Sequence, residues 1–193
     1  MRTFGGGMIK MKSHLHLLAW LAGLLISLPV PARAQDSTGL AVRADSTAFS
    51  SLAPEQLADT LIAIARTYIG TPYRLGAEGP QAYDCSSFVR QVYSEIGIDI
   101  PRYTATQIKA GREISNVQEL QRGDLVFFGK KKGVKDIGHI GIVIDVDLPR
   151  SNYTFIHCGT SAGVTIAQYS HPYFLMRYIT SRRILPDFET SSR

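Results

Sequence analysis

The sequence predicts an α+β domain in which helices come first and an antiparallel sheet follows. Apolar residues recur at helical spacing from Pro54 to about Ala110 and then at period two from 125 to 185. Helices followed by a run of strands pack as α+β, whereas a parallel sheet would need the two to alternate. Composition agrees. Of all residues 45 % are apolar and 19 % charged, enough to bury a core and unlike a disordered or collagen-like chain.

Residues 1–34 read as a signal peptide, and the chain as exported to the periplasm, cell envelope or exterior. Lys10 and Lys12 precede an apolar stretch over 15–28, which Pro29 and Pro31 break. Ala32-Arg33-Ala34 then gives the small-x-small pattern that places cleavage near Ala34. The stretch is shorter than the roughly 20 residues of a membrane-spanning helix; retention as an uncleaved anchor is the alternative. No stable membrane insertion is expected after cleavage. Charge follows the same division. Arg2, Lys10, Lys12 and Arg33 supply most of the net +5, and the remaining 17 basic residues face 16 acidic ones. A near-neutral remainder leaves no nucleic-acid footprint. Residues 35–53 are small and polar and read as a flexible linker, 54–186 as one domain and 187–193 as a C-terminal tail. A monomer is expected.

Pro54 suits the first position of a helix, and Leu57, Leu61, Ile64, Ala65 and Tyr68 form its apolar stripe up to Gly70. Residues 71–83, rich in Gly and Pro, form a loop. Asp84 is a preferred N-cap for a second helix, with Phe88, Val89, Val92 and Ile96 as its stripe and Gly97 as its stop. A short helix over 104–110 ends at Gly111. Strands are expected over 125–128, 139–146, 153–158, 164–168 and 178–185, separated by Gly-, Asn- and Lys-rich turns. Lys130-Lys131-Lys132, with Lys135, reads as a solvated loop, and Tyr169, Tyr173, Phe174 and Tyr178 as packing near the chain end.

Cys85 falls in the first turn of the second helix. Unpaired backbone N–H groups and the helix dipole favour a thiolate there, lowering the pKa, and the same N–H groups can hold an oxyanion. The competing reading is a small buried residue at a helix end. His139 opens one strand and His157 nearly closes another, while His171 lies in a loop. Alternation puts His139 on the face of Gly141 and Val143, His157 on that of Phe155 and Tyr153, and Cys158 opposite His157. Gly141 leaves room for a second group beside His139. A cysteine, an imidazole base and a polar group that orients the base form the generalised triad of nucleophilic catalysis. Three other readings stay open: structural histidines, a Cys85–Cys158 disulfide favoured by an oxidising compartment, and a zinc site from His139, His157 and Asp136 or Cys158. The zinc reading lacks any HxH, HExxH or CxxC pair, so no metal or other cofactor is expected.

Several short segments, in order, then carry a resemblance. They are Tyr73-Arg74-Leu75-Gly76, Asp84-Cys85-Ser86-Ser87-Phe88-Val89, Pro101-Arg102, Arg122-Gly123-Asp124-Leu125-Val126-Phe127-Phe128, His139-Ile140-Gly141-Ile142-Val143 and Phe155-Ile156-His157. Together they resemble the NlpC/P60 family of papain-like bacterial cell-wall peptidases, over about 57–185. The resemblance implies a papain-like fold, with the nucleophile at a helix N-terminus packed on the antiparallel sheet. It implies a cysteine endopeptidase acting on peptidoglycan stem peptides, at the γ-D-glutamyl–diamino acid bond or at a cross-link. Carried over by position, Cys85 is the nucleophile, His139 the base and later the acid, and His157 the orienting third member. Tyr73 would assist the oxyanion, Asp84 would hold a substrate amine or act as helix N-cap, and Ser86 would contact substrate. Family members often have Gly-Gly where this chain has Gly76-Ala77, and Gly where it has Ser87; Ala77 would narrow the loop near Tyr73. An amidase or acyl-transfer enzyme on the same scaffold, and a non-catalytic wall-binding protein, are the alternatives.

Overall fold

The computed structural model describes Phe49, residues 51–133 and residues 136–188. The expected signal peptide and most of the expected linker lie outside the described residues. Helix α1 (Pro54–Thr67) starts on its proline and buries Leu57, Ala58, Leu61, Ile62 and Ala65. Helix α2 (Cys85–Glu95) is capped by Asp84. Oδ1 of Asp84 accepts from the Ser87 N–H at 2.8 Å, and Ser87 Oγ accepts from the Asp84 N–H at 2.9 Å. This reciprocal pair satisfies two donors the helix itself cannot, and it fixes where the helix begins and therefore where Cys85 stands. Helix α3 (Thr104–Gln107) is shorter than the expected 104–110.

Six strands follow: β1 (Arg112–Ile114), β2 (Leu125–Gly129), β3 (Ile137–Asp147), β4 (Asn152–Gly159), β5 (Gly163–Gln168) and β6 (Tyr178–Arg183). They form one antiparallel sheet in the order β1-β6-β2-β3-β4-β5. Strand β1 and a four-residue helix, α4 (Pro172–Leu175), are additions to the expected elements. Period-two alternation divides the strand residues between two apolar layers. Leu125, Phe127, Ile140, Ile142, Ile156 and Cys158 pack with Leu61, Phe88 and Val89 of the helices. Val126, Phe128, Val143, Tyr153 and Phe155 form a second cluster on the other face. Among the described residues no helix is long and apolar enough to cross a membrane.

The Arg122-Gly123-Asp124 turn locks the end of the sheet away from the candidate site. Gly123 sits at φ 90°, and a Cβ there would lie 2.6 Å from Leu185 Cδ1. Only glycine meets both demands without strain. Asp124 accepts from Arg183 Nε and Nη2, each at 2.8 Å, and from the Gln121 N–H at 2.8 Å. Arg183 also donates to Glu119 O and to Asp187, and Asp187 in turn accepts from Arg112. The Phe188 N–H donates to Gln121 Oε1 at 3.1 Å. Packing thus runs two residues past the expected domain end at 186.

Candidate active site

Cys85 is buried, 8 % exposed. The Thr104 hydroxyl and the backbone N–H groups of Ser86 and Ile140 favour its thiolate form. Ile140 adjoins His139, so β3 brings an imidazole to the end of α2 where the thiol stands. A cavity of about 460 Å³ is lined by Cys85, His139, His157, Tyr73, Lys130 and Phe174 among others. A second, of about 360 Å³, is lined by Cys85, Tyr73, Asp84, Ser86, Arg102 and Tyr103 among others. Cys85, Tyr73 and Lys130 line both, making the two cavities halves of one cleft with the sulfur between them.

His139 Nε2 and His157 Nδ1 lie 2.9 Å apart, with the rings at 88° to each other. The bond engages one nitrogen of His139 and leaves Nδ1 free of it. Gly141 makes the approach possible, as its place in the sequence suggested. Ile142 pairs with Ile156, which sets Gly141 beside His157. A Cβ on Gly141 would lie 2.6 Å from the Phe155 ring, 3.0 Å from Ile156 O and 3.3 Å from His157 Cβ.

The second half of the cleft is walled by a polar network centred on Asp84 and Arg102. Asp84 Oδ2 accepts from Arg102 Nη2 at 2.6 Å and from the Gly76 N–H at 3.1 Å. Its Oδ1 accepts from Ser86 Oγ at 3.0 Å and Arg102 Nη1 at 3.1 Å, besides the Ser87 N–H. Arg102 also reaches Glu78 at 3.0 Å. Burial pushes the Asp84 carboxyl up, but Arg102, the Ser87 N–H and Ser86 outweigh it and hold the group below the usual carboxylate range. Asp84 therefore serves as N-cap with both oxygens engaged. Ser87 closes the capping box and donates to Ala77 O at 2.6 Å, which explains a serine here. Ala77 is buried and lines neither cavity, so the expected narrowing near Tyr73 does not arise from its side chain.

The thiol's electrostatics depart from the sequence expectation. Burial pushes the Cys85 thiol up, the Asp84 carboxylate adds to this, and Thr104 with the two N–H groups only partly offsets them. Desolvation and the adjacent carboxylate thus outweigh the groups at the helix end that favour a thiolate. Burial, and secondarily His157, lowers His139 to about 3, and burial lowers His157 to about 4. Both imidazoles and the thiol are therefore neutral at pH 7. Burial first, then Cys85 and Asp84, raises Tyr73, which keeps its phenol a donor.

A pH dependence of stability follows. Unfolded histidines titrate at about 6.5. Below that the unfolded chain binds protons that the folded pair refuses down to about 4, so stability falls as pH falls through this window. The thermal midpoint is expected to drop between pH 6.5 and 4, and to drop less in a His139→Asn variant. A flat profile there would contradict neutral burial of the pair.

Cys158 faces away from the imidazoles, as alternation required. It is a free, buried thiol that donates to Tyr83 O at 3.4 Å, and burial pushes it up to about 12. Cys85 is likewise free, so no disulfide joins them. Asp136 pairs with Lys130 at 2.8 Å, and among the described residues no group of three or more metal-ligating side chains converges. Sequence reasoning left Arg102, Thr104 and Gln107 without roles. Gln107 Nε2 donates to Ser86 O at 3.0 Å and Pro101 O at 2.8 Å, tying α3 to the first turn of α2. Pro101-Arg102 was visible as a motif; its partner, 18 residues back, was not.

A cysteine at a helix N-terminus, packed against an antiparallel sheet that carries paired histidines, places the domain in the papain-like α+β class. Comparison makes this specific: a model of the NlpC/P60 family matches residues 70–183, and the chain belongs to that family. A probable endopeptidase, an NlpC homologue of Haemophilus influenzae, is 39 % identical over 126 residues, 65 % of this chain and 62 % of that one. A gamma-D-glutamyl-L-lysine dipeptidyl-peptidase of Bacillus cereus is 30 % identical over 134 residues, covering 69 % of this chain and 38 % of its own. The peptidoglycan DL-endopeptidase CwlO of Bacillus licheniformis is 37 % identical over 112 residues, 54 % of this chain and 23 % of its own. Matches thus span less than two thirds of these relatives. Among solved structures, an NlpC/P60 family protein from Bacillus cereus superposes with TM-score 0.60 at 30 % identity, covering 67 % of this chain and 40 % of that one. The NlpC/P60 domain of the peptidoglycan hydrolase SagA gives 0.54 at 29 % identity, with coverage of 65 % and 97 %.

Proposed function

We propose that the protein is an exported cysteine endopeptidase that hydrolyses amide bonds in peptidoglycan stem peptides. The observation that carries this reading is the 2.9 Å His139–His157 bond inside a cavity shared with Cys85. Names of relatives support peptidoglycan as the substrate: a peptidoglycan DL-endopeptidase and a gamma-D-glutamyl-L-lysine dipeptidyl-peptidase are among them. The bond assigned is γ-D-glutamyl–diamino acid. Export rests on the signal-like residues 1–34, and the active form is a monomer.

With His139 Nε2–H donating to His157 Nδ1, the His139 Nδ1 lone pair is available to the thiol. The Cys85 proton passes to that nitrogen as Sγ attacks the amide carbonyl carbon. The oxyanion that forms is held by the Cys85 N–H at the start of α2 and by the Tyr73 hydroxyl. Protonated His139 then gives its proton to the leaving amine nitrogen, the C–N bond breaks and a thioester remains. Water, deprotonated by His139, attacks the thioester, and Cys85 leaves and regains its proton. Because thiol and imidazole are both neutral at the outset, charge appears only as the reaction proceeds. Asp84 and Ser86 border the substrate from the second half of the cleft, as a wall already neutralised by Arg102.

Product masses test the reading. Purified muropeptides treated with the protein should yield a fragment ending in D-glutamate, with the matching diamino-acid fragment. Cleavage at the lactyl–alanine junction would instead make it an amidase, and no cleavage of muropeptides or intact sacculi would contradict the peptidase.

A further inference from the structure

We propose that Phe174 is a positioning residue for the His139–His157 pair, seating both imidazoles and keeping water from their shared hydrogen bond. The proposal rests on the peptidase reading above. Its ring lies nearly parallel to His139, at 25° with centroids 6.5 Å apart, and edge-on to His157 at 5.4 Å. Phe128 and Phe155 back it at 5.2 Å and 4.8 Å. These two also flank the imidazoles themselves, Phe128 beside His139 at 6.2 Å and Phe155 beside His157 at 5.2 Å. Three phenylalanines thus box the pair.

They are not equivalent. Phe128 and Phe155 are fully buried strand residues of the second core cluster. Phe174 is half-buried, comes from the four-residue α4 and lines the cavity beside Cys85. It is the wall of the box that faces the cleft. Its helix is capped by His171, whose Nδ1 accepts from the Tyr173 N–H at 3.2 Å, and the segment is tied to the sheet where the Gly129 N–H donates to Arg177 O at 2.7 Å. Arg177 also lies 3.9 Å over the Tyr173 ring. The Gly129 bond ties the segment to β2, the strand that carries Phe128.

A phenyl ring offers an imidazole packing but no competing hydrogen-bond acceptor. Among the described residues, the side-chain hydrogen bond each histidine makes is to the other. Water admitted in place of Phe174 would compete for Nε2 and Nδ1, loosen the tautomer that base catalysis needs, and stabilise the protonated form. The titratable and charged groups facing the pair are Cys85 from α2, Tyr73 from its loop, Lys130 after β2, and His171 and Tyr173 around α4. Lys130 is engaged by Asp136. Phe174→Ala removes none of these groups, and of them only His171 and Tyr173 contact the Phe174 ring, with centroids at 6.1 Å and 5.0 Å.

The test is imidazole titration by ¹H–¹⁵N NMR, run beside pH profiles of kcat/KM, for wild type, Phe174→Ala and Phe174→Leu. Leu175→Ala, whose side chain is exposed and outside the cavity, is the control. Phe174→Ala should move both histidine midpoints up by about one pH unit or more towards 6.5. The acid limb of kcat/KM should move with them and kcat fall about tenfold, while Leu175→Ala matches wild type. Phe174→Leu, which keeps apolar cover, should shift less, and it carries the test if the alanine variant does not fold. Midpoints and acid limb unmoved in the folded variants would overturn the proposal, even if activity fell. Because titration needs no turnover, moved midpoints in a protein that never cleaves muropeptide would retire the peptidase reading and leave the seating of the pair intact.

Discussion

Alanine in place of His139 is expected to lower kcat/KM on muropeptides by about 10³- to 10⁴-fold with the fold intact. His139 stands near the start of β3 and lines the cleft, and its side chain contacts the fold through rings and one hydrogen bond. Its removal therefore costs chemistry far more than packing. The loss should appear in kcat, because proton transfer stabilises the transition state rather than the bound substrate. His157 acts one step removed, and His157→Ala should cost about 10²-fold. His157→Asn should fall between the two proteins, since an amide oxygen can still accept from His139 Nε2–H. Steady-state kinetics with circular dichroism as the folding control decide it. A His139→Ala variant within tenfold of wild type would remove the imidazole from the mechanism.

The second large effect is on stability. Arg183 is 6 % exposed and Asp124 1 %, and two 2.8 Å bonds join them between the end of β6 and the start of β2. Arg183→Met leaves the Asp124 carboxylate buried without its counter-charge, at a cost of about 3–5 kcal/mol. For a domain of this size that is a fall in Tm of roughly 10 °C. Adding Asp124→Asn should recover part of the loss, because the remaining charge is removed while the oxygen that serves the Gln121 N–H is kept. Histidine pair and Arg183 sit at opposite ends of β2, since Phe128 pairs with His139 while Leu125 pairs with Arg182. Activity per folded molecule at low temperature should therefore be unchanged. Denaturant and thermal melts of the single and double variants measure it; an Arg183→Met protein as stable as wild type would show that the pair is not a structural lock.

Local signals read well here because they are strong. An Asp N-cap before an apolar stripe located α2 to the residue, and with it Cys85 in the first turn. Alternation placed His139 on the face of Gly141 and Val143 and His157 on that of Phe155 and Tyr153, and turned Cys158 away; the β3–β4 register then sets Gly141 beside His157. What stayed hidden depends on partners distant in the chain. Strand β1 is three residues long, with only Ile114 buried; no periodicity can show in so short an edge, and its pairing with β6 creates it. Helix α4 is a single turn after Pro172, and nothing local tells it from a loop. The Arg102 clamp on Asp84 needs two segments brought together by the fold. The raised Cys85 thiol and lowered imidazoles depend on how deeply the groups are buried, a quantity that spacing does not encode.

In the proposed mechanism Cys85 is the nucleophile. Mass spectrometry of muropeptides incubated with equal amounts of wild type and Cys85→Ala tests it most directly. Wild type should release the D-glutamate-ended fragment, and Cys85→Ala, folded to the same Tm within a few degrees, should release none above the no-enzyme control. Release of the same fragment by Cys85→Ala at a comparable rate would contradict the account.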